Sequence, residues 1–268
     1  MAKSKAAAQS TELAEKANHA VVASETVAFE DDAGGGFEAA DAEAYAIPFL
    51  TILQSGSPQC KRSDGAYLAG AEEGKLINTV TQELFDGSVG VVVIPCYYKR
   101  SFIRWAPRET GGGFRGEVAP TDPMVLNAKN DADGYPIDDE GNNLVDTRTH
   151  YVLVLDDKGG YQPAVISCAA SQLKKSRQWM SKMNGIKLTR ADGSLFTPAM
   201  FSHQYLVTTT PESNDKGSWF GWKLEMSGPV RSNALYQAAK ALRDAVSSGA
   251  VREQTPSSAQ STDAEEEF

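Results

Sequence analysis

The sequence predicts a mainly β (α+β) body carrying two helices, with a disordered segment at each end. Three observations predict it. Short β-branched and aromatic runs recur between turn signals from residue 46 to residue 226. Two longer segments, 171–183 and 229–249, repeat apolar residues at helical spacing. The two ends are polar and acidic, with few large apolar side chains.

In chain order, residues 1–45 read as an acidic disordered arm, with a short helix expected at 11–24. The folded pattern begins at "AIPFLTILQ", 46–54, and spans a β-rich domain over 46–249. Its strands are expected at "KLINTV" (75–80), "VGVVVIPCYY" (89–98), "HYVLVLD" (150–156), "QPAVISC" (162–168), "HQYLVTTT" (203–210) and "WFGWKLEM" (219–226). In the last run Phe220, Trp222, Leu224 and Met226 alternate and so share one face. "DDKGGYQ" at 156–162 reads as a hairpin turn.

The first helix has Ser171 as its expected N-cap and Leu173, Met180 and Met183 as its apolar stripe. The second has Pro229 in its first turn, Gly249 as its stop, and Leu235, Ala238, Ala239, Leu242 and Val246 on its buried side. Residues 250–268 read as a flexible linker and acidic tail.

The chain has 268 residues and a formal net charge of -9, a total that taken alone disfavours nucleic acid. The distribution reverses that. Residues 1–45 hold 3 basic and 9 acidic side chains, net -6, and residues 251–268 hold 1 basic and 5 acidic, net -4. That leaves +1 for the body, so the acidity lies at the ends. No apolar run has the length of a membrane span, and the N-terminus lacks the apolar centre of a secretory signal, so a cytoplasmic protein is expected. Cys60, Cys96 and Cys168 form no C-x-x-C pair, which suggests neither a zinc site nor a disulfide framework.

Two stretches carry chemistry. In "CYYKRSFIRWAPRETGGGFRG", 96–116, the cations Lys99, Arg100, Arg104, Arg108 and Arg115 alternate with the rings of Tyr97, Tyr98, Phe102, Trp105 and Phe114. Single-stranded nucleic acid is bound by this combination, since cations follow the phosphates while flat rings stack on bases without reading sequence. In "LKKSRQWMSKMNGIKLTR", 173–190, Lys174, Lys175, Arg177, Lys182, Lys187 and Arg190 surround Trp179 with no acid among them. A merely solvated helix face usually pairs its signs.

Other motifs fail. "GGGFRG" at 111–116 matches G-x-G-x-x-G, but "EVAPTDP" follows where a helix must begin. "GAEEGKL" at 70–76 is too short for a phosphate loop. "KNDADGYPIDDE" at 129–140 has Asp131, Asp133, Gly134 and Glu140 in EF-hand register, but Lys129 replaces the first ligand and Pro136 interrupts. No nucleophile–base pair is legible and no cofactor or metal is called for. The rival enzymatic reading is a metal-dependent nuclease using the acids of 131–146, and the rival non-enzymatic one is a structural or interaction protein.

The chain ends in "STDAEEEF". With this tail and its basic, aromatic β-body, the chain resembles the single-stranded-DNA-binding proteins of bacteria and their phages. The body also resembles a group of phage proteins with an "IPFL-x-ILQ" start and a "VIPC…W-x-PRE-x-GGGF-x-G" centre, associated with replication modules. The resemblance implies an OB-like β-barrel that coats single strands in replication or recombination, without a reaction of its own. It also implies that Asp263, Glu265, Glu266, Glu267 and Phe268 recruit a polymerase, helicase or primase. It leaves oligomeric state open, a homo-oligomer included.

Overall fold

The computed structural model describes residues 35–36, 47–215 and 217–251. The chain splits into two compact units, 1–41 and 42–268. Of the first only Gly35 and Gly36 are described, so the expected helix at 11–24 lies outside the described residues, as does the acidic tail. All the described strands and helices belong to the second unit.

A curled, mainly β sheet forms a half-barrel around β4 (Val91–Trp105) and β8 (Asn143–Leu155), which pair antiparallel along most of their length. β9 (Tyr161–Cys168) pairs with β8 through the hairpin expected at 156–162. On the other side β12 (His203–Asn214) pairs with the start of β4 and carries the edge strand β13 (Gly217–Pro229). The far end of β4 carries β5 (Phe114–Val118), and β8 carries the two-residue strands β7 (Pro136–Ile137) and β6 (Lys129–Asn130). β1 (Leu50–Ile52), β2 (Leu76–Asn78) and β3 (Leu84–Phe85) form a separate three-stranded sheet, and β10 (Leu188–Thr189) and β11 (Leu195–Phe196) a small hairpin.

The described residues contain three α-helices, α1 (Pro123–Leu126), α2 (Leu173–Gly185) and α3 (Asn233–Ser247), and none is long and apolar enough to cross a membrane. α1 is one turn that the sequence reading did not anticipate. Asp122 caps it by accepting from the Met124 amide, and Pro123 fills its first position.

Alternation along the strands sends apolar side chains to both faces. Val93, Val152, Ile166, Tyr205, Val207 and Trp222 pack on one face with Trp179 and Met183 of α2. Ile94, Cys96, Leu153 and Phe201 pack on the other with Ala239 of α3. A strand buried on both sides reads as a continuous apolar run, which is why "VGVVVIPC" was legible. β4 nevertheless extends well past residue 98. The register shifts between Pro95 and Tyr97, and a proline is tolerated in a central strand at such a bulge.

The helix ends differ from expectation. Ser171 lies in a 3₁₀ turn, and α2 is preceded by Gln172, whose carboxamide turns to the sheet and accepts the Trp222 amide. The stripe of α2 centres on Ser176, Trp179 and Met183 rather than on Leu173 and Met180. Pro229 ends β13, and Ser232 caps α3 by accepting from Leu235. Gly249 does stop that helix. It has a φ of +74°, and Gly249 and Ala250 donate back to Val246 and Ala245.

Candidate nucleic-acid interface

After the bulge, β4 presents Tyr98, Arg100, Phe102 and Arg104 on one face, at spacings of about 6.8 Å. Their direct partners on β8 are His150, Arg148, Asp146 and Leu144. The strand pairing therefore builds a polar cluster beside the apolar interior. Arg100 donates to Asp146 through Nε (3.1 Å) and Nη2 (2.9 Å). Arg148 donates to the same two oxygens through Nε (3.0 Å) and Nη2 (3.1 Å), and its Nη1 donates to the Tyr98 hydroxyl at 2.9 Å. Burial alone would raise the Asp146 pKa, but hydrogen bonds from Arg100 and Arg148 prevail and hold it below the usual carboxylate range. The carboxylate stays charged, and two guanidiniums on one carboxylate leave the cluster net positive. The Arg100 guanidinium also lies 5.4 Å from the centroid of the Phe102 ring.

The remaining cations of this stretch are distributed differently. Arg104 is tied to Asp138 (2.8 Å) and Glu140 (2.9 Å), with Asp138 almost wholly buried. Lys99 points to the opposite face and meets Glu117 of β5 at 3.0 Å. Arg108 and Arg115 are exposed on the excursion joining β4 to β8. Gly111, Gly112 and Gly113 take positive φ there and turn the chain into β5, so no helix follows them.

On α2, Lys174, Arg177 and Lys182 are exposed, whereas Lys175 pairs with Glu212 of β12. Lys182 donates to the Leu224 carbonyl at 3.2 Å. Lys187 donates to the Asn184 carbonyl and the Thr197 hydroxyl. The acids that neutralise Lys99, Arg104 and Lys175 come from other strands and loops, so a reading of linear stretches counted those cations as uncompensated.

Two of the expected stacking rings are in the interior, which corrects that part of the reading. Trp105 is 5% exposed, packed on Phe114, Ile103 and Val145. Trp179 is 1% exposed, between His150 (4.6 Å) and Tyr205 (5.6 Å). Trp179 lies on the stripe of α2 that packs on the sheet, and for Trp105 the reason is strand parity. Trp105 has the odd parity of the buried Ser101 and Ile103, and Tyr98, Arg100 and Phe102 the even one. Tyr97 likewise faces away, against Tyr151.

Arg148, which completes the cluster, was missed, and Asp146 was read only among the acids of the nuclease alternative. The expected strand began at His150, whereas β8 begins at Asn143. The signal was present in "VDTRTH", where Thr147 and Thr149 alternate with Asp146 and Arg148 in a strand with one polar face.

The acids proposed for a nuclease are engaged by the protein itself, Asp138 and Glu140 by Arg104 and Asp146 by Arg100 and Arg148. Asp131 accepts the amides of Asp133 and Tyr135, and Asp138 accepts those of Glu140 and Asn142. Among the described residues no group of three or more His, Cys, Asp or Glu side chains converges as a metal site would require. His150 is buried against the Ser176 hydroxyl at 2.7 Å, and burial lowers its pKa to about 3. Burial pushes the Cys96 thiol up to about 12.

No curated protein and no solved structure matches the chain. One family model, described as Pam3 phage gp34-like protein, matches residues 15–252, most of the sequence and all of the half-barrel. The chain thus belongs to the Pam3 phage gp34-like protein family.

Proposed function

We propose that this phage-family protein binds single-stranded DNA on a barrel of the OB type, acting in phage replication or recombination. The observation that carries the reading is the row Tyr98–Arg100–Phe102 on one face of β4, with Arg148 opposite on β8. It places two half-buried rings and two guanidiniums, Arg100 the exposed one, on one face, the combination that stacks bases and follows phosphates.

Strand order adds support. β9-β8-β4-β12-β13 is the order of a five-stranded Greek-key barrel whose chain runs β4, β8, β9, α2, β12, β13. In such barrels the face of the second and third strands and the loop between the first two bind oligonucleotides. Here that loop is the excursion 106–142, which carries Arg108, Phe114 and Arg115. Lys174 and Arg177 of α2 add exposed positive charge.

The acidic segment Asp263–Phe268 lies outside the described residues. In this reading it is a tethered competitor for the basic face and a docking point for a replication protein. The test is titration of labelled single- and double-stranded oligonucleotides at two salt concentrations. Preference for single strands and weakening with salt are expected, and deletion of 261–268 should tighten binding most at low salt. Equal affinity for duplex, or a flat salt response, sinks the proposal. A second reading, an interaction or structural phage protein, is favoured by the neutralisation of Lys99, Arg104 and Lys175. Its sign is no retention on single-stranded DNA cellulose at low salt.

A further inference from the structure

We infer that Arg100 and Arg148, held side by side on Asp146, are a preformed clamp for one phosphodiester group, with Asp146 and Tyr98 as its positioning residues. The inference rests on the single-strand reading above and names the point where the backbone is gripped.

Both guanidiniums engage the same carboxylate through the same edge, Nε and Nη2. That fixes their planes relative to each other before any ligand arrives. Arg148 is further fixed by Tyr98, and its side chain is only 14% exposed. Arg100 is 41% exposed, and the bonds to Asp146 leave its Nη1 edge for a ligand. A long flexible side chain normally loses rotamer freedom when it binds an anion, and here Asp146 has already restricted it.

Two cations on one acid leave one positive charge. A guanidinium fork matches a phosphate better than an ammonium does. Phe102 lies beside Arg100, so a nucleotide whose phosphate is clamped here has that ring within reach of its base, while Tyr98 rests its ring on His150 and holds Arg148 through its hydroxyl. Arg104 does not share this role, since its two acids exceed its charge. A bare excess of basic residues would predict equal contributions from all the cations of 99–115. The clamp predicts that one pair dominates.

The experiment uses the full chain and a labelled single-stranded oligonucleotide titrated over a series of salt concentrations. Arg148→Gln should weaken binding about tenfold. It should also reduce the slope of log K against log salt by about 0.7, the loss of one phosphate contact. Arg148→Lys should keep the slope yet lose several-fold in affinity, because the charge remains and the fork does not. Tyr98→Phe should lose affinity with an unchanged slope. Circular dichroism checks that each variant is folded. If the wild type binds and Arg148→Gln leaves both affinity and slope unaltered, the clamp is overturned while the single-strand reading stands.

If the wild type binds no oligonucleotide, that reading fails, and inorganic phosphate then tests the clamp alone. A saturable shift of the Arg100 and Arg148 Nε–H NMR signals supports an anion site, and no shift overturns it. A shift produced by the peptide STDAEEEF but not by phosphate assigns the arginines to carboxylates and overturns the phosphate proposal.

Discussion

The carboxamide of Gln54 pairs with the main chain of Phe220 as a neighbouring strand would. Its Nε2 donates to the Phe220 carbonyl and its Oε1 accepts the Phe220 amide, both at 2.8 Å. Phe220 lies on β13, the edge of the sheet, where outward N–H and C=O groups would otherwise lack protein partners. Two positions on, Gln172 accepts the Trp222 amide at 2.9 Å, and two further on Lys182 donates to the Leu224 carbonyl. Three side chains from three different segments thus cover an edge that would be an aggregation template. The approach is close. A Cβ on Gly221 would sit 2.5 Å from Glu212 Oε2 and 2.9 Å from Gln172 Nε2.

Gln54→Ala should therefore lower stability by about 2 kcal/mol, since it strands both Phe220 groups rather than one. Urea unfolding monitored by tryptophan fluorescence measures this. Gln54→Ala combined with Gln172→Ala should also aggregate on storage, which light scattering detects. A change within about 0.5 kcal/mol would mean that water replaces the carboxamide without loss.

Ala170 has a φ of +45°, a conformation that costs an L-residue about 1–2 kcal/mol. It sits where the chain leaves β9 and enters the 3₁₀ turn ahead of α2. Ala170→Gly should raise stability by about 0.5–1 kcal/mol, the relieved strain exceeding the extra entropy of glycine in the unfolded chain. A higher urea midpoint at unchanged slope is the expected result.

His150 gives the fold a pH dependence of known sign. Burial is the main cause of its low pKa, about 3, and the positive charge of Arg148 adds to it. An unfolded histidine titrates near 6.5. Between these values the unfolded state binds the proton and the folded state does not, so stability is full above about pH 6.5 and falls as pH drops. The fall approaches about 1.4 kcal/mol per pH unit between roughly pH 6 and pH 4. Asp138 and Asp146, whose folded pKa values are lowered from 3.8, add their losses only nearer pH 4 and below. His150→Gln should flatten the dependence between pH 6 and pH 5, measured as urea unfolding free energy against pH.

Trp105 and Phe102 are predicted to separate folding from binding. Trp105→Ala should destabilise by about 3–5 kcal/mol, as expected for a ring removed from a packed core, without changing oligonucleotide affinity per folded molecule. Phe102→Ala should cost about 1–3 kcal/mol of that affinity, the scale of one stacked base. Fluorescence titration of both variants, each compared at equal folded fraction, reads the two effects. The reverse pattern would place the binding face on the other side of β4.

What the sequence determined by itself is local. Apolar runs in β4, β8, β9, β12 and β13 announced the strands, because a strand buried against neighbours needs β-branched and aromatic side chains whatever the fold. Helical spacing announced α2 and α3, and Gly249 announced the end of α3. The pairing of distant elements decided the rest. Whether Arg100 and Arg104 are available to a ligand depends on Asp146, Asp138 and Glu140, which are 34 to 46 residues away in the chain. Whether Trp105 or Phe102 faces out depends on the parity of β4 after its bulge at Pro95, and one residue of slip exchanges the two faces. Charge and aromaticity are composition, legible in a single stretch. Ion pairing, burial and the sharing of Asp146 by two arginines are relations between strands, and only the folded sheet brings those residues within bonding distance.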